Sequence, residues 1–132
     1  MYRSYQGGCH CGRVRFELQA SIDHLVYCNC SICRIRGATW HGAKESELRI
    51  VAGEDELVLY QFGTGAAKHY FCRHCGIHTI ARPRLDPSIW VVNALCIDDL
   101  DASTLPVHQF NGANWDQGVR EFMANMQAQQ AA

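Results

Sequence analysis

The chain has no apolar run approaching the roughly 20 residues that a membrane-spanning helix needs, so no membrane span is expected. It has no basic stripe either. Lys and Arg number 12 against 13 Asp and Glu, a formal net charge of −1, which argues against a dedicated nucleic-acid binder. The first residues, 1–12, carry no apolar core of the signal-peptide type. There is no internal repeat and no long linker. Cysteine, at 8 of 132 residues or roughly 6%, falls below the roughly 8–10% that marks a disulfide scaffold in short secreted chains. These absences together predict a cytoplasmic chain in a reducing compartment, where thiols persist and disulfides do not.

What is present is the content of an ordinary folded unit. A length of 132 residues predicts a single domain over 1–132, and a chain of that size buries about two-thirds of its unfolded surface without staples. Hydrophobic residues make up 48%. Val14 to Leu18 alternates apolar and charged residues, the pattern of a half-buried strand. Further short strands are expected at 24–27, 38–43, 48–51, 57–62, 68–71, 76–82 and 89–96, with Gly63-Thr64-Gly65 closing a hairpin. Such spacing predicts a mainly β chain of small antiparallel sheets. The end differs: Val119, Phe122, Met123 and Met126 fall on one helical face, which predicts a short C-terminal helix over about 115–130 that packs on the sheet. Asp116 suits its N-cap or first turn.

Eight cysteines are still too many for packing alone, and seven of them cluster. Cys9-His10-Cys11 is a C-x-C. Cys28-Asn29-Cys30-Ser31-Ile32-Cys33 is a C-x-C-x-x-C, and Cys72-Arg73-His74-Cys75 is a C-x-x-C followed by Gly76. In a C-x-x-C the chain turns both sulfurs onto one centre at about 2.3 Å, the zinc–sulfur distance, and Gly76 opens the backbone conformations that let the turn close. One pair supplies two ligands, so a four-sulfur tetrahedron needs two pairs. Joining Cys9 and Cys11 with Cys72 and Cys75 makes a closed, structural site. Cys28, Cys30 and Cys33 then form a site with three protein ligands and one position left open. An open zinc position lowers the pKa of whatever enters it. Three other readings stand beside zinc. Disulfides would allow about 105 pairings but need an oxidising compartment. An iron–sulfur cluster is chemically open to thiolates, although the ferredoxin spacings are missing. A thioredoxin-like pair at Cys72 and Cys75 lacks a surrounding βαβ pattern.

Gly7-Gly8-Cys9-His10-Cys11-Gly12, the Cys28–Cys33 run and Phe71-Cys72-Arg73-His74-Cys75-Gly76 closely resemble the glutathione-dependent formaldehyde-activating enzyme family, which includes centromere-protein-V-like domains. The likeness covers about residues 5–107. It implies a β-tent-type fold around two zinc ions per chain. It also implies that Cys9, Cys11, Cys72 and Cys75 hold a structural zinc, and that Cys28, Cys30 and Cys33 hold the catalytic one. The implied activity is that of a carbon–sulfur lyase, joining glutathione or a similar thiol to formaldehyde or a related aldehyde to give S-hydroxymethylglutathione. A non-catalytic zinc-binding interaction module is the alternative. The implied partners are small molecules, with no nucleic acid and no membrane, and a homodimer is the base-rate expectation for assembly.

Several residues outside the motifs remain candidates. Arg34 and Arg36 follow the three-cysteine run and could offset the negative charge of a thiolate site, although surface arginines are usually solvated. Trp40 and His41 follow the same loop and are candidate pocket walls. Lys68 and His69 precede Cys72 and could attract a glutathione carboxylate. His10 and His74 lie between cysteines and are expected to hydrogen-bond or stay exposed, not to ligate. Cys96 is expected as a buried structural thiol.

Overall fold

The computed structural model describes residues 2–131, with side chains through Asn125. The strands are β1 (Arg3–Gly8), β2 (Arg15–Ala20), β3 (Leu25–Cys28), β4 (Trp40–Ala43), β5 (Leu48–Ala52), β6 (Leu57–Tyr60), β7 (Lys68–Cys72), β8 (His78–Arg82), β9 (Trp90–Asn93) and β10 (Val107–Phe110). Two α-helices, α1 (Ser31–Arg36) and α2 (Trp115–Ala131), join them. The mainly β architecture with a C-terminal helix is as the sequence predicts. A three-stranded sheet runs β1-β2-β5 and a seven-stranded sheet runs β10-β3-β4-β9-β8-β7-β6. All pairings between these strands are antiparallel except β10 with β3, which is parallel.

Strand alternation builds the core. Along β2, Phe16, Leu18 and Ala20 are buried while Arg15, Glu17 and Gln19 reach solvent, because successive side chains leave opposite faces of a strand. The small sheet lays Phe16 and Leu18, with Tyr5 from β1, into the same cluster as Leu25, Ile80 and Val92 of the large sheet. Burial of these large side chains is the main term holding the two sheets together. The edge of the small sheet is pinned at Asp98, which pairs with Arg15 through its carboxylate and donates its backbone N–H to the Gln6 carbonyl at 2.8 Å.

The structure departs from the sequence reading at four places. β1 carries one large apolar residue, Tyr5, and β10 is mostly exposed, so neither shows the alternation by which strands are recognised. α1 has six residues, too short for helical periodicity. The expected strand at 89–96 ends at Asn93, whose side-chain oxygen accepts the Leu95 N–H at 3.2 Å and starts a 3-10 turn over Ala94–Cys96. Asn competes with the sheet ladder by such local bonds. Cys96 therefore sits off the strand, half-buried against the main core, where burial pushes its thiol up to about 12.

α2 starts at Trp115 with Asp116 in its first turn. It packs on β10 through Phe110, whose ring centroid lies 5.7 Å from Trp115 and 5.8 Å from Phe122. Val119 is half-buried and Met123 is 46% exposed; the Met126 side chain, assigned to the same face above, lies outside the described residues.

Phe16 is fully buried at the junction of the two sheets. Phe16→Ala is expected to lower unfolding free energy by about 3–5 kcal/mol, the cost of a lost side chain plus the cavity it leaves. Urea titration at fixed zinc measures this, and a loss under about 1 kcal/mol would show that the sheets do not depend on this contact.

Candidate metal centres

The first cluster is built from two turns far apart in sequence. Cys9 follows β1 and Cys11 lies in the turn after it; Cys72 ends β7 and Cys75 lies in the turn before β8. The second turn is closed by Gly76, at φ 76°, whose N–H reaches the Cys72 carbonyl at 2.8 Å. The four sulfurs all lie within 4.8 Å of one another. Cys9 and Cys11 are 3.6 Å apart and Cys11 and Cys72 3.7 Å. A tetrahedron with metal–sulfur bonds of about 2.3 Å has edges of about 3.8 Å, so the donor set has the size zinc requires. Backbone N–H groups point at the sulfurs: Val14 donates to Cys9 at 3.3 Å and His74 to Cys72 at 3.4 Å. The Arg13 backbone N–H, with its side chain, holds the Cys11 thiol down to about 6. Such bonds favour the thiolate form that a metal needs. His10 is exposed and His74 bonds Glu56 at 2.6 Å, so both point away from the donor set.

The second cluster sits on one short segment. Cys28 ends β3, Cys30 is the N-cap of α1, and Cys33 lies within the helix. Cys30 is extended, with φ −63° and ψ 166°, while its carbonyl accepts the Arg34 N–H at 3.0 Å. This places the N-cap sulfur and the Cys33 sulfur, three residues on, over the same side of the first turn. Their sulfurs and that of Cys28 again lie within 4.8 Å, and among the described residues no fourth His, Cys, Asp or Glu joins them. The Cys28 thiol, then the Cys33 thiol, donate to Cys30 and hold it far down in the thiolate range, with N–H groups of Cys33 and Ile32 adding to the effect. Both clusters therefore supply soft sulfur donors suited to zinc.

The loop after β10 clamps this segment. Asn29 donates its backbone N–H to the Phe110 carbonyl at 3.2 Å, its side-chain oxygen accepts the Ala113 N–H at 2.8 Å, and its amide nitrogen donates to Asn111 at 3.1 Å. Gly112 lies so close that a Cβ there would stand 2.4 Å from the Cys28 sulfur. The three sulfurs open onto a cleft of about 720 Å³, within the usual size of a small-molecule site.

A family model described as glutathione-dependent formaldehyde-activating enzyme matches residues 4–113. The chain belongs to this family. A solved structure of a Rhodobacter sphaeroides protein is similar as well: it is 40% identical, with the match covering 78% of this chain and 99% of that one at a TM-score of 0.71. Membership supports a glutathione-dependent, formaldehyde-activating function in general terms. The family match extends past 107, the limit expected from the motifs, to include the loop that clamps Asn29.

The remaining candidates divide around the cleft. Arg34, Trp40 and His69 line it. His41 does not, since it alternates on β4 with Trp40 and Gly42, which do. Lys68 is exposed and outside the lining. Arg36 turns away into a second cavity of about 380 Å³. The sequence reading overlooked Arg84 and Trp115, which meet on the cleft wall with the guanidinium 4.2 Å from the ring centroid. No local signal marks either residue, because their meeting joins the loop after β8 to the start of α2.

Gly112→Ala is expected to push Cys28 out of register and weaken metal binding at the three-cysteine cluster by roughly 10–100-fold, the usual cost of disturbing a ligand's support. Chelator competition resolves the two classes of site. Unchanged affinity at both would show that the close approach of Gly112 does not hold Cys28.

Proposed function

We propose that this chain is a zinc-dependent carbon–sulfur lyase-type enzyme that joins glutathione, or a similar thiol, to formaldehyde or a related aldehyde. The observation that supports it best is a three-sulfur cluster, without a fourth protein donor among the described residues, on the wall of a cleft of about 720 Å³. Cys28, Cys30 and Cys33 are read as ligands of the catalytic zinc. Cys9, Cys11, Cys72 and Cys75 are read as ligands of a structural zinc, for a total of two per chain. A zinc ion in a three-thiolate site leaves a position open and lowers the pKa of a thiol bound there.

The protein's own groups shape what enters. Arg34 and Arg84 set positive charge in a cleft that holds three sulfur ligands, which offsets the negative charge of a thiolate and suits the carboxylates of a tripeptide. Trp115 and Phe122 form an apolar wall, which keeps water away and strengthens these electrostatic contacts. The four-cysteine centre ties the turn after β1 to the turn after β7, and so anchors the Cys72 end of the strand on which His69 lies. Among the described residues no cysteine forms a disulfide, which suits a reducing, cytoplasmic setting.

Two measurements test this reading. Metal analysis is expected to give two zinc ions per chain, with Cys30→Ser losing one of them while the fold is retained. The zinc-loaded protein is then expected to accelerate formation of S-hydroxymethylglutathione from glutathione and formaldehyde, and Cys30→Ser to abolish the acceleration. No acceleration at full zinc occupancy would remove the reaction and leave a non-catalytic zinc module.

The same cleft predicts a role for Arg84. Arg84→Ala is expected to raise KM for glutathione by roughly 10-fold, a loss of uniform binding, with kcat little changed. Steady-state kinetics with varied glutathione measures it, and an unchanged KM would take Arg84 out of thiol recognition.

A further inference from the structure

Two histidines lie back to back behind the three-cysteine cleft. His69, on β7, is 6% exposed and lines the cleft; His78, on β8, is 4% exposed and lies behind it. His69 Nδ1 and His78 Nε2 are 3.3 Å apart, within hydrogen-bond reach. The rings are held. Phe62 stacks on His69 with centroids 6.0 Å apart, Trp40 meets His78 edge-on at 4.8 Å, and the Asn93 amide donates to the His78 carbonyl at 2.9 Å.

The direction of the hydrogen bond follows from Arg36. Its Nη1 and the His78 Nδ1 are both buried without a hydrogen-bond partner in the protein, and both residues line the second cavity. A guanidinium only donates. Arg36 lies near enough for its charge to act on the His78 ring, and that charge favours a lone pair, not an N–H, on the imidazole nitrogen left without a partner. Neutral His78 with a lone pair on Nδ1 carries its hydrogen on Nε2, which donates to His69 Nδ1. Neutral His69 accepting at Nδ1 then carries its hydrogen on Nε2. That nitrogen makes no hydrogen bond among the described residues and is not one of the fully buried atoms. Both rings stay uncharged near neutral pH: burial, then Arg36, holds His78 down to about 3, and burial lowers His69 against the opposing charge of Cys30.

We propose that His69 presents Nε2–H to the cleft and hydrogen-bonds the aldehyde oxygen, with His78 and Arg36 as positioning residues that set the tautomers behind it. The proposal rests on the thiol–formaldehyde reading of the cleft. As the thiolate sulfur bonds to the aldehyde carbon, the carbonyl π pair moves to oxygen. The resulting oxyanion takes a proton from water, the thiol having released one to solvent, so that thiol plus formaldehyde gives the hydroxymethyl thioether. In a cleft crowded with thiolates, a fixed N–H donor at that oxygen is the contact that strengthens as charge develops.

The test has two arms. In zinc-loaded protein with 15N-labelled histidine, both Nδ1 atoms are expected at lone-pair chemical shifts and both Nε2 atoms at N–H shifts, and Arg36→Met is expected to put a proton on His78 Nδ1. A protonated Nδ1 on either histidine of the wild-type chain overturns the proposed order of donors. In the kinetic arm, His69→Ala at wild-type zinc content is expected to lower kcat roughly 100–1000-fold, with KM for glutathione changed by less than about twofold. An unchanged kcat overturns the role of His69. Failure of the wild-type chain to accelerate the reaction would sink the thiol–formaldehyde reading, and would show in the kinetic arm alone.

Discussion

Thiolates repel one another, and this molecule gathers seven of its sulfurs into two knots, each no wider than 4.8 Å. Like charges so close cannot all ionise unless something positive or a proton lies between them. Without metal the second knot resolves the conflict by sharing protons, with Cys30 as the thiolate and Cys33 forced to keep its hydrogen. A dication resolves it by ionising all the ligands at once. The remaining architecture serves the same constraint: backbone N–H groups aim at the sulfurs, and the strand ends deliver them in matched turns.

The two knots differ in how they are assembled. The four-sulfur set draws on turns 61 residues apart, counted from Cys11 to Cys72, and its closure fixes the small sheet against the end of β7. The three-sulfur set is local in sequence but depends on distant support. β10 lies parallel to β3 in register from Val107 opposite Leu25 to Phe110 opposite Cys28, and the loop beyond it reaches Asn29 with hydrogen bonds from both backbone and side chain. The cleft thus has a floor of cysteines, a wall from β4 and β7, and a lip from the start of α2.

Much of this was legible in the residues. Cysteine spacing encodes turn geometry, which is local, so the pairs Cys9–Cys11 and Cys72–Cys75 and the run Cys28, Cys30 and Cys33 could be read directly, while joining the two pairs into one set took a count of ligands and the family resemblance. Alternation exposed β2, and helical spacing exposed α2. The rest is tertiary. Arg84 and Trp115 meet across the chain, Gly112 matters only because the Cys28 sulfur approaches it, and His69 gains its meaning from His78 on the neighbouring strand. β10 escaped because it is held by backbone pairing while its side chains stay mostly exposed. His41 misled because adjacency in sequence is opposition across a strand.

The parallel pairing of β10 with β3 has a consequence for the order in which the protein is made. A ribosome releases the amino end first. All four sulfurs of the first knot are out once residue 75 has emerged, so that centre can close on a growing chain. The second knot emerges earlier, by residue 33, but its clamp arrives only with residues 110–113. For the span of synthesis between them, Cys28, Cys30 and Cys33 lack the hydrogen bonds that hold Asn29 in the folded chain, and the arrival of residues 110–113 is what completes their setting.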